Sequence, residues 1–584
     1  MADSLEQRVG NWLERPVRWL ACFGGIILVV IGLLTVISII GRALTGFGLA
    51  PIRGDFELVE IGSAVAVFSF LPWCQLNRGH VRVDLISRVL PRRLDALLEL
   101  LGDIAITLIA IVITWRIWKG MGERVTWFSQ EVRDTLGFGF KPFSIESTFI
   151  LGWPTWYGYA IGVVGCALFT VVSLYTVWRS ANELIHGTGL RALNKLSSLS
   201  GLELSLIAFA LLLLAIFLRM PIAAAMAITG FAGTWVVLGN PNAVLNQLKS
   251  LTYDTFSSYS LTIVPLFLLM GQFATKSGMS ATLFNAASDW LGHKKGGVAM
   301  ATVGACAGFG AVCGSSLATA STMGQLALPE MRRRGYSDAL ATGVLSAGGT
   351  LGILIPPSVI LVIYAIMTEQ NIVKMFLAAI IPGIMAAIGY MLVVMIYVRV
   401  RPDSATVAER KPYKERLKSF LKVWPVILIF GLVIGGIAAD WNWVKPGVQA
   451  LFSPTEGAAV GAVATGLYGL WTRGLNRHTF VDCVLNTASA SAMIFFILLG
   501  AQLFNTFLAF TQTPQLIADW VNGQGYSPML VLALILIFYL ILGCVMDSLS
   551  MILLTIPIFF PIIESLDFGM TQEMTAIWLS LIHI

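Results

Sequence analysis

The sequence predicts an all-α polytopic membrane protein in which a module of four helices precedes a larger helical module. Of the 584 residues, 57% are hydrophobic and only 12% are charged. Many uninterrupted apolar runs reach about 20 residues, the length that a helix needs to cross ~30 Å of hydrocarbon. In addition, two glycine- and hydroxyl-rich segments, far apart in the chain, interrupt this apolar background.

The first four apolar runs define a small module, predicted at residues 1–180. They cover about residues 20–40, 58–76, 97–118 and 149–178. The first run is too long for the apolar core of a signal peptide, so we expect it to remain as a helix. The arginine-rich loop 77–95 should be cytoplasmic and the mixed-charge loop 119–146 external. Glu57 and Glu60 stand at the start of the second run and Asp103 lies within the third, and we interpret all three as structural in preference to functional.

The remaining charged and reactive residues argue against several function classes. The net charge is +6, but Lys and Arg lie mostly in short loops, where they indicate membrane topology and no nucleic-acid partner. The seven cysteines form no C-x-x-C pair, and the five histidines are scattered. We therefore expect no cofactor, and no metal beyond Na⁺.

A polar stretch at residues 181–200 predicts a linker to a large module at residues 201–584. The large module contains two copies of one pattern, at residues 201–399 and 423–584, joined by a basic connector that should be cytoplasmic. The landmarks recur in the same order, as Gly271, Asp289 and Ser316 in the first copy and as Gly500, Asp519 and Ser548 in the second.

Each copy ends its pattern with a polar segment that predicts a re-entrant helical hairpin, Gly310 to Pro329 in the first and Gly543 to Pro561 in the second. Basic residues flank the first hairpin on both sides, whereas no Lys or Arg follows His478. The first hairpin should therefore open to the cytoplasm and the second outward, with their tips near the bilayer midplane.

One conflict in this topology stays open. Counting crossings from the small module leaves residue 200 inside, while an inverted repeat needs the large module to start outside. The stretch 181–200 is too polar to predict a further crossing.

The hairpin composition favours a site for a cation and an acid. A broken helix frees carbonyl oxygens and Ser or Thr hydroxyls add hard oxygen ligands, a donor set that suits Na⁺. Half-helix N-termini offer amide donors to a carboxylate. A second break, from Gly348 to Ser358, is interpreted as part of the ion site in preference to a simple kink. Asp547 is interpreted as cation-linked in preference to a role in hairpin folding.

The chain resembles the tripartite ATP-independent periplasmic (TRAP) transporters, of the sialic acid or C4-dicarboxylate type, with their small and large membrane subunits fused. The motifs FELVEIGSAVAVF and RGHVRVD carry the small-subunit resemblance. For the large subunit the motifs are GFGAVCGSSLATA, GTLGILIPPSVILVIYAI, SPTEGAAVGAV and MDSLSMILLTIPIFFPI.

This resemblance implies Na⁺-driven uptake of a carboxylate or sugar acid across the bacterial inner membrane, by an elevator movement of the part that carries both hairpins. A periplasmic substrate-binding protein would deliver the substrate. The alternative within transport is a stand-alone Na⁺-coupled carboxylate symporter. A membrane-embedded enzyme is disfavoured because no catalytic constellation is evident, and a membrane scaffold is disfavoured because it needs no polar hairpins.

The resemblance also implies site residues, at the positions where this sequence matches the motifs of the family. For Na⁺ these are Ser315, Ser316, Thr319, Gly349, Thr350, Pro356, Gly543, Asp547 and Ser548. For the substrate they are Gly314, Ser315, Ser316, Ser548 and Ser550. Only 23 residues follow Pro561, whereas 70 separate Pro329 from Arg399, so we expect the second copy to be truncated at the C-terminus.

Overall fold

The computed structural model describes residues 5–45, 48–81, 92–142, 144–185, 201–407, 409–439, 450–544, 546, 548–569, 571, 574 and 577. Within these residues the regular structure is α-helical, with short 3-10 turns and one isolated bridge between Ser147 and Pro154. Six of the described helices are long and apolar enough to cross a bilayer, and nine spans result if each of three bent helix pairs counts as one. The prediction of an all-α polytopic membrane protein is confirmed.

The small module contains five described helices. They are α1 (Leu5–Ala43), α2 (Asp55–Leu76), α3 (Arg92–Arg124), α4 (Gln130–Leu136) and α5 (Trp156–Ile185).

Helices α6 to α15 follow within the first copy. They are α6 (Gly201–Phe217), α7 (Ile222–Leu238), α8 (Pro241–Ser257), α9 (Ile263–Lys276), α10 (Met279–Leu291), α11 (Gly297–Cys313), α12 (Ser316–Arg333), α13 (Asp338–Leu354), α14 (Val359–Met367) and α15 (Ile372–Val400).

The connector and the second copy contain the last seven helices. They are α16 (Tyr413–Leu421), α17 (Trp424–Ala438), α18 (Pro454–Trp471), α19 (Arg477–Phe510), α20 (Thr513–Gly523), α21 (Pro528–Gly543) and α22 (Ser548–Glu564).

The helices of the small module differ in their boundaries from the predicted spans, most clearly α1 and α5. Helix α1 begins near the N-terminus because Leu13 and Val17, outside the predicted apolar run, are also buried. Helix α5 begins only at Trp156. The preceding turn is held by Glu57, whose carboxylate accepts hydrogen bonds from the backbone N–H groups of Ile150 (2.6 Å) and Leu151 (2.9 Å). Packing therefore sets the start of α1, and side-chain hydrogen bonds set the start of α5. A hydropathy profile detects neither.

The other buried acid of the small module also has a structural partner. Asp103 is fully buried, and its Oδ2 accepts a hydrogen bond from the Ser180 hydroxyl at 2.6 Å. Ser180 in turn accepts a bond from Arg78, which pairs with Glu99 at 2.5 Å. These contacts tie the segment that follows α2 to α3 and α5.

The two copies present their helices in the same order. Helices α6 and α7 correspond to α17 and α18, and α10, α11 and α12 correspond to α20, α21 and α22. Ser316 is the first residue of α12 and Ser548 is the first residue of α22. The copies differ in between, because the first copy has two helices, α8 and α9, where the second has one continuous helix of 34 residues, α19.

The chain divides into two compact units. The first contains residues 1–28, 53–259 and 488–572, and the second contains residues 29–52, 260–487 and 573–584. In the first unit, Ala227, Leu248 and Leu503 form a buried cluster that α3 covers with Ile109 and Val112. Both predicted modules thus contribute to this core. The predicted linker at 181–200 lies outside the described residues from position 186 onward.

In the second unit, α9 packs closely against α18 and α11. A Cβ atom on Gly461 would lie 2.3 Å from the Met270 sulfur, and one on Gly271 would lie 3.0 Å from the Cys313 carbonyl oxygen. Helix α18 begins with a capping box, in which Ser453 and Glu456 each bind the other's backbone N–H. This explains the S-P-T-E motif as a helix start.

Candidate functional site

The first hairpin is two helices joined by a two-residue turn. Helix α11 ends at Cys313, and Gly314 follows with a φ of +64°, which a side chain would disfavour. Ser315 then caps α12, since its hydroxyl accepts a hydrogen bond from the Ala318 N–H at 3.4 Å. The sequence G-S-S therefore ends one helix and starts the next within a few residues.

A second break follows, between α13 and α14. Their axes differ by 46°, and the irregular residues Ile355 to Ser358 separate them. Pro356 and Pro357 lack the N–H groups that would continue α13. Ser358 is fully buried and caps α14, accepting a hydrogen bond from the Leu361 N–H at 3.4 Å.

Glycines let the hairpin tip lie directly against this break. A Cβ atom on Gly310 would lie 2.6 Å from the Cα atom of Gly352, so α11 and α13 touch backbone to backbone. One on Gly352 would lie 2.5 Å from Thr319 Oγ1 and 2.8 Å from the Ser315 carbonyl oxygen. One on Gly349 would lie 3.3 Å from the carbonyl oxygen of Ser316. The first turn of α12 therefore rests on the last turns of α13.

The start of α14 also joins the tip, because the Val359 N–H donates to the Gly314 carbonyl oxygen at 3.4 Å. Four helix ends thus meet in the second unit, the C-termini of α11 and α13 and the N-termini of α12 and α14. Helix C-termini carry partial negative charge on free carbonyl groups, and N-termini carry partial positive charge on free amides. One place can therefore stabilise a cation and an anion with backbone groups alone.

Most of the residues predicted for the first half of the site lie at this junction. Ser315 and Ser316 are half-buried at the tip. Thr319 is fully buried, and its hydroxyl donates to the Ser315 carbonyl oxygen at 2.7 Å. Gly314, Gly349 and Pro356 are buried around them.

The side chain of Thr350 contacts α15 and not the hairpin tip. Its hydroxyl bonds the Ala347 carbonyl oxygen at 2.7 Å and lies 3.1 Å from the hydroxyl of Tyr390 on α15. The neighbouring Gly349 contacts α12 instead. In this conformation the Thr350 side chain is thus engaged with α15.

Gly352 and Ser358 lie within the predicted break from Gly348 to Ser358 but were not assigned individual roles in the site, and Tyr390 was not predicted at all. Gly352 has a detectable signal, because it follows Gly348 at helical i+4 spacing and so shares its face of α13. Ser358 also has one, since Ser directly before an apolar run marks a helix start. Tyr390 has none, because it lies 40 residues beyond Thr350 and only the tertiary fold brings it near.

The second hairpin belongs to the first unit. Gly543 is the last residue of α21, and Ser548 is the half-buried first residue of α22. Ser550 is fully buried. The two arms are joined by a hydrogen bond between the hydroxyls of Tyr539 and Thr555, and the latter also bonds the Met551 carbonyl oxygen at 2.7 Å. Asp547 lies outside the described residues.

Two family models match the chain in sequence. The model described as the DctQ component of the tripartite ATP-independent periplasmic transporters matches residues 31–183. The model described as the DctM component of the same transporters matches residues 209–582.

Several curated permeases are similar to this chain. The C4-dicarboxylate TRAP transporter large permease protein of Pseudomonas aeruginosa is 36% identical over 56% of this chain and 74% of its own length. The sialic acid TRAP transporter large permease protein of Vibrio cholerae is 29% identical over 61% of this chain and 81% of its own length. The isethionate TRAP transporter permease protein of Oleidesulfovibrio alaskensis is 29% identical, and the match covers 57% of this chain and about half (51%) of that protein.

Proposed function

Because the chain belongs to the tripartite ATP-independent periplasmic transporter family and contains both of its membrane components, we propose that it takes up an organic acid across the bacterial inner membrane. A Na⁺ gradient drives this uptake, and a periplasmic substrate-binding protein delivers the acid. The part that carries the hairpins moves as an elevator.

The junction of the first hairpin with the α13–α14 break is the observation that carries this proposal. At this junction the last turn of α13 lies against the first turn of α12, which Ser315 caps and Ser316 begins, and the carbonyl groups at the ends of α11 and α13 supply further oxygen atoms. Neutral oxygens of this kind are the ligands that unwound transporter helices offer to Na⁺. The close contact at Gly352 holds them together without charged side chains.

The same junction supports an acid as the substrate. The N-termini of α12 and α14 adjoin each other through the Val359–Gly314 hydrogen bond. Free amides at a helix N-terminus bind carboxylates and other anions. We assign Gly314, Ser315 and Ser316 to the substrate on the first hairpin, and Ser548 and Ser550 on the second. Gly543, Asp547 and Ser548 complete the proposed second ion site.

The names of the relatives support an organic acid as the substrate class. The three relatives above are named for a C4-dicarboxylate, a sialic acid and isethionate, all of which are organic anions. A site built from backbone amides fits this range, because amides recognise the acid group and not the remainder of the molecule.

Reconstituted transport tests the proposal. The purified chain is placed in proteoliposomes with radiolabelled C4-dicarboxylate, sialic acid or isethionate, with and without a periplasmic extract that supplies the binding protein. We expect uptake of one acid only when both an inward Na⁺ gradient and the binding protein are present. A K⁺ gradient of equal size is the control. Uptake without the binding protein would favour a stand-alone symporter. Uptake without a Na⁺ gradient would exclude Na⁺ as the coupling ion.

A further inference from the structure

The connector between the two copies contains a short helix, α16, that is fastened to α10 along one side. Arg416 donates hydrogen bonds to the carbonyl oxygens of Asp289 (3.1 Å) and Trp290 (2.8 Å), and the Trp290 indole donates back to the Arg416 carbonyl oxygen at 3.0 Å. The Asp289 carboxylate accepts a bond from Ser419 at 2.5 Å and pairs with Lys411 at 2.6 Å. This side of α16 is therefore fixed to the protein.

A second side of α16 is an exposed apolar stripe. Its four members leave between 43% and 66% of their surface exposed: Tyr413, Leu417, Phe420 and Leu421. At about 100° per residue they fall within roughly 100° of the helix circumference. A row of large apolar side chains on one face of a polar connector is unfavourable in water.

Lysines form the third side. Lys414, Lys418 and Lys422 are exposed and follow one another at i+4 spacing, which places them in a row beside the apolar stripe. This combination of an apolar face with adjoining lysines is typical of helices that lie in the plane of a membrane interface.

The stripe continues into an exposed apolar surface on α17. Helix α17 follows α16 at a bend of 44° and is apolar, and its exposed side carries Ile427, Leu428 and Leu432. At the bend, Trp424 packs edge-on against the exposed Trp471, with ring centroids 6.2 Å apart. The apolar stripe of α16 is thus continuous with the apolar side of α17. The two helices meet at a tryptophan, the residue type that concentrates at the level of the lipid headgroups.

We propose that α16 lies in the headgroup layer of the cytoplasmic leaflet, with its apolar stripe among the acyl chains and Lys414, Lys418 and Lys422 bound to anionic phospholipid headgroups. The stretch from Arg399 to Lys422, both included, carries eight Lys and Arg, and such juxtamembrane clusters attract acidic lipids. Through Arg416 and Asp289, this lipid contact also anchors α10, which leads into the first hairpin. The inference concerns lipid recognition and does not depend on the proposed transport activity.

Spin labelling locates the helix. In the full chain with Cys544→Ser, which removes the one exposed cysteine among the described residues, labels are placed by Leu417→Cys on the stripe and by Glu415→Cys on the opposite face. In liposomes, the label at 417 should collide readily with oxygen and poorly with a water-soluble nickel complex. The label at 415 should show the reverse. Equal access of the nickel complex to both positions would overturn the interfacial location.

Lipid binding tests the headgroup contact. Binding of fluorescent phosphatidylglycerol to the detergent-solubilised chain is compared with binding of phosphatidylcholine. One lysine near a membrane surface contributes about a fivefold change, so Lys414→Gln with Lys418→Gln should weaken phosphatidylglycerol binding at least about tenfold and leave phosphatidylcholine binding unchanged. The matched pair Lys294→Gln and Lys295→Gln, also exposed but outside α16, should have little effect. No loss in the α16 pair, or an equal loss in both pairs, would overturn the proposal.

Discussion

At the scale of single residues, the hydroxyls of the first hairpin have separate roles. Ser315 caps α12 and Thr319 bonds back to the Ser315 carbonyl oxygen. Ser316 is the first residue of the helix and is half-buried at the tip. Of these three, Ser316 is the one whose side chain can be changed with least effect on the turn itself.

Ser316→Ala should therefore raise the Na⁺ concentration needed for half-maximal uptake. The loss of one neutral ligand costs about 0.5–1.5 kcal/mol, or roughly 2- to 12-fold in affinity. Ser321→Ala, an exposed serine farther along α12, is the control and should leave the Na⁺ dependence unchanged. The measurement is initial uptake rate against external Na⁺ in proteoliposomes, and an unchanged response in Ser316→Ala would remove this hydroxyl from the ion site.

Some residue-scale features had no signal in the sequence. Arg133 was predicted only as part of an external mixed-charge loop, yet it is fully buried and donates to five carbonyl oxygens between Gly122 and Phe140. A charged residue in a polar loop is normally solvated. Its burial depends on how the loop closes around it, and no local pattern encodes that closure.

At the scale of elements, the helix breaks of the first hairpin could be predicted because they depend on residue types that end or restart a helix. Glycine, serine and proline end and restart helices wherever they occur, so the turn at Gly314 and the break at Pro356 could both be located. The break between α8 and α9 could not be predicted from the sequence. Its counterpart α19 is continuous although the two segments share landmarks, and helical periodicity does not distinguish a continuous helix from a broken one.

The contact between α12 and α13 gives a prediction for Gly352. Gly352→Ala would place a methyl group 2.5 Å from Thr319 Oγ1 and 2.8 Å from a backbone oxygen, so the hairpin tip must move. Overpacking of this kind costs about 1–3 kcal/mol. We expect a lower melting temperature and a loss of uptake.

Gly343→Ala provides the matched control for this substitution. Gly343 lies in the same helix and has open space around its Cα atom, so alanine should be neutral or stabilise the helix by about 0.5–1 kcal/mol. Both variants are measured by thermal unfolding in detergent. Equal melting temperatures for the two would contradict the close contact at Gly352.

At the scale of the whole molecule, the two predicted modules share one core. Within the first unit, Phe68 of α2 packs edge-on against Phe256 of α8 at 5.1 Å, and Tyr159 of α5 stacks on Tyr253 at 4.0 Å. Arg116 of α3 also donates to the Asn246 side chain of α8 at 2.8 Å. The polar boundary at 181–200 predicted where the chain passes between modules, but helix patterning could not predict that their faces pack together.

A protease site inserted within residues 186–200 tests this shared core. After cleavage, the fragments before and after the cut should remain together through purification in mild detergent, because the contacts between α2, α3, α5 and α8 do not depend on the linker. Size-exclusion chromatography with mass detection provides the measurement, with the uncut protein as the reference. Separate elution of the two fragments would show that the linker is what holds the modules together.

The interleaving of the two units also imposes an order on biosynthesis. A ribosome delivers the N-terminal part of a chain first, and domains generally fold as they emerge. The first unit cannot follow that rule, because Thr255 and Gln247 bond to Gln502 (2.6 Å) and Thr506 (3.1 Å), which are synthesised about 250 residues later. Helix α8 therefore reaches these partners only after α9 to α18 have been synthesised and α19 has followed.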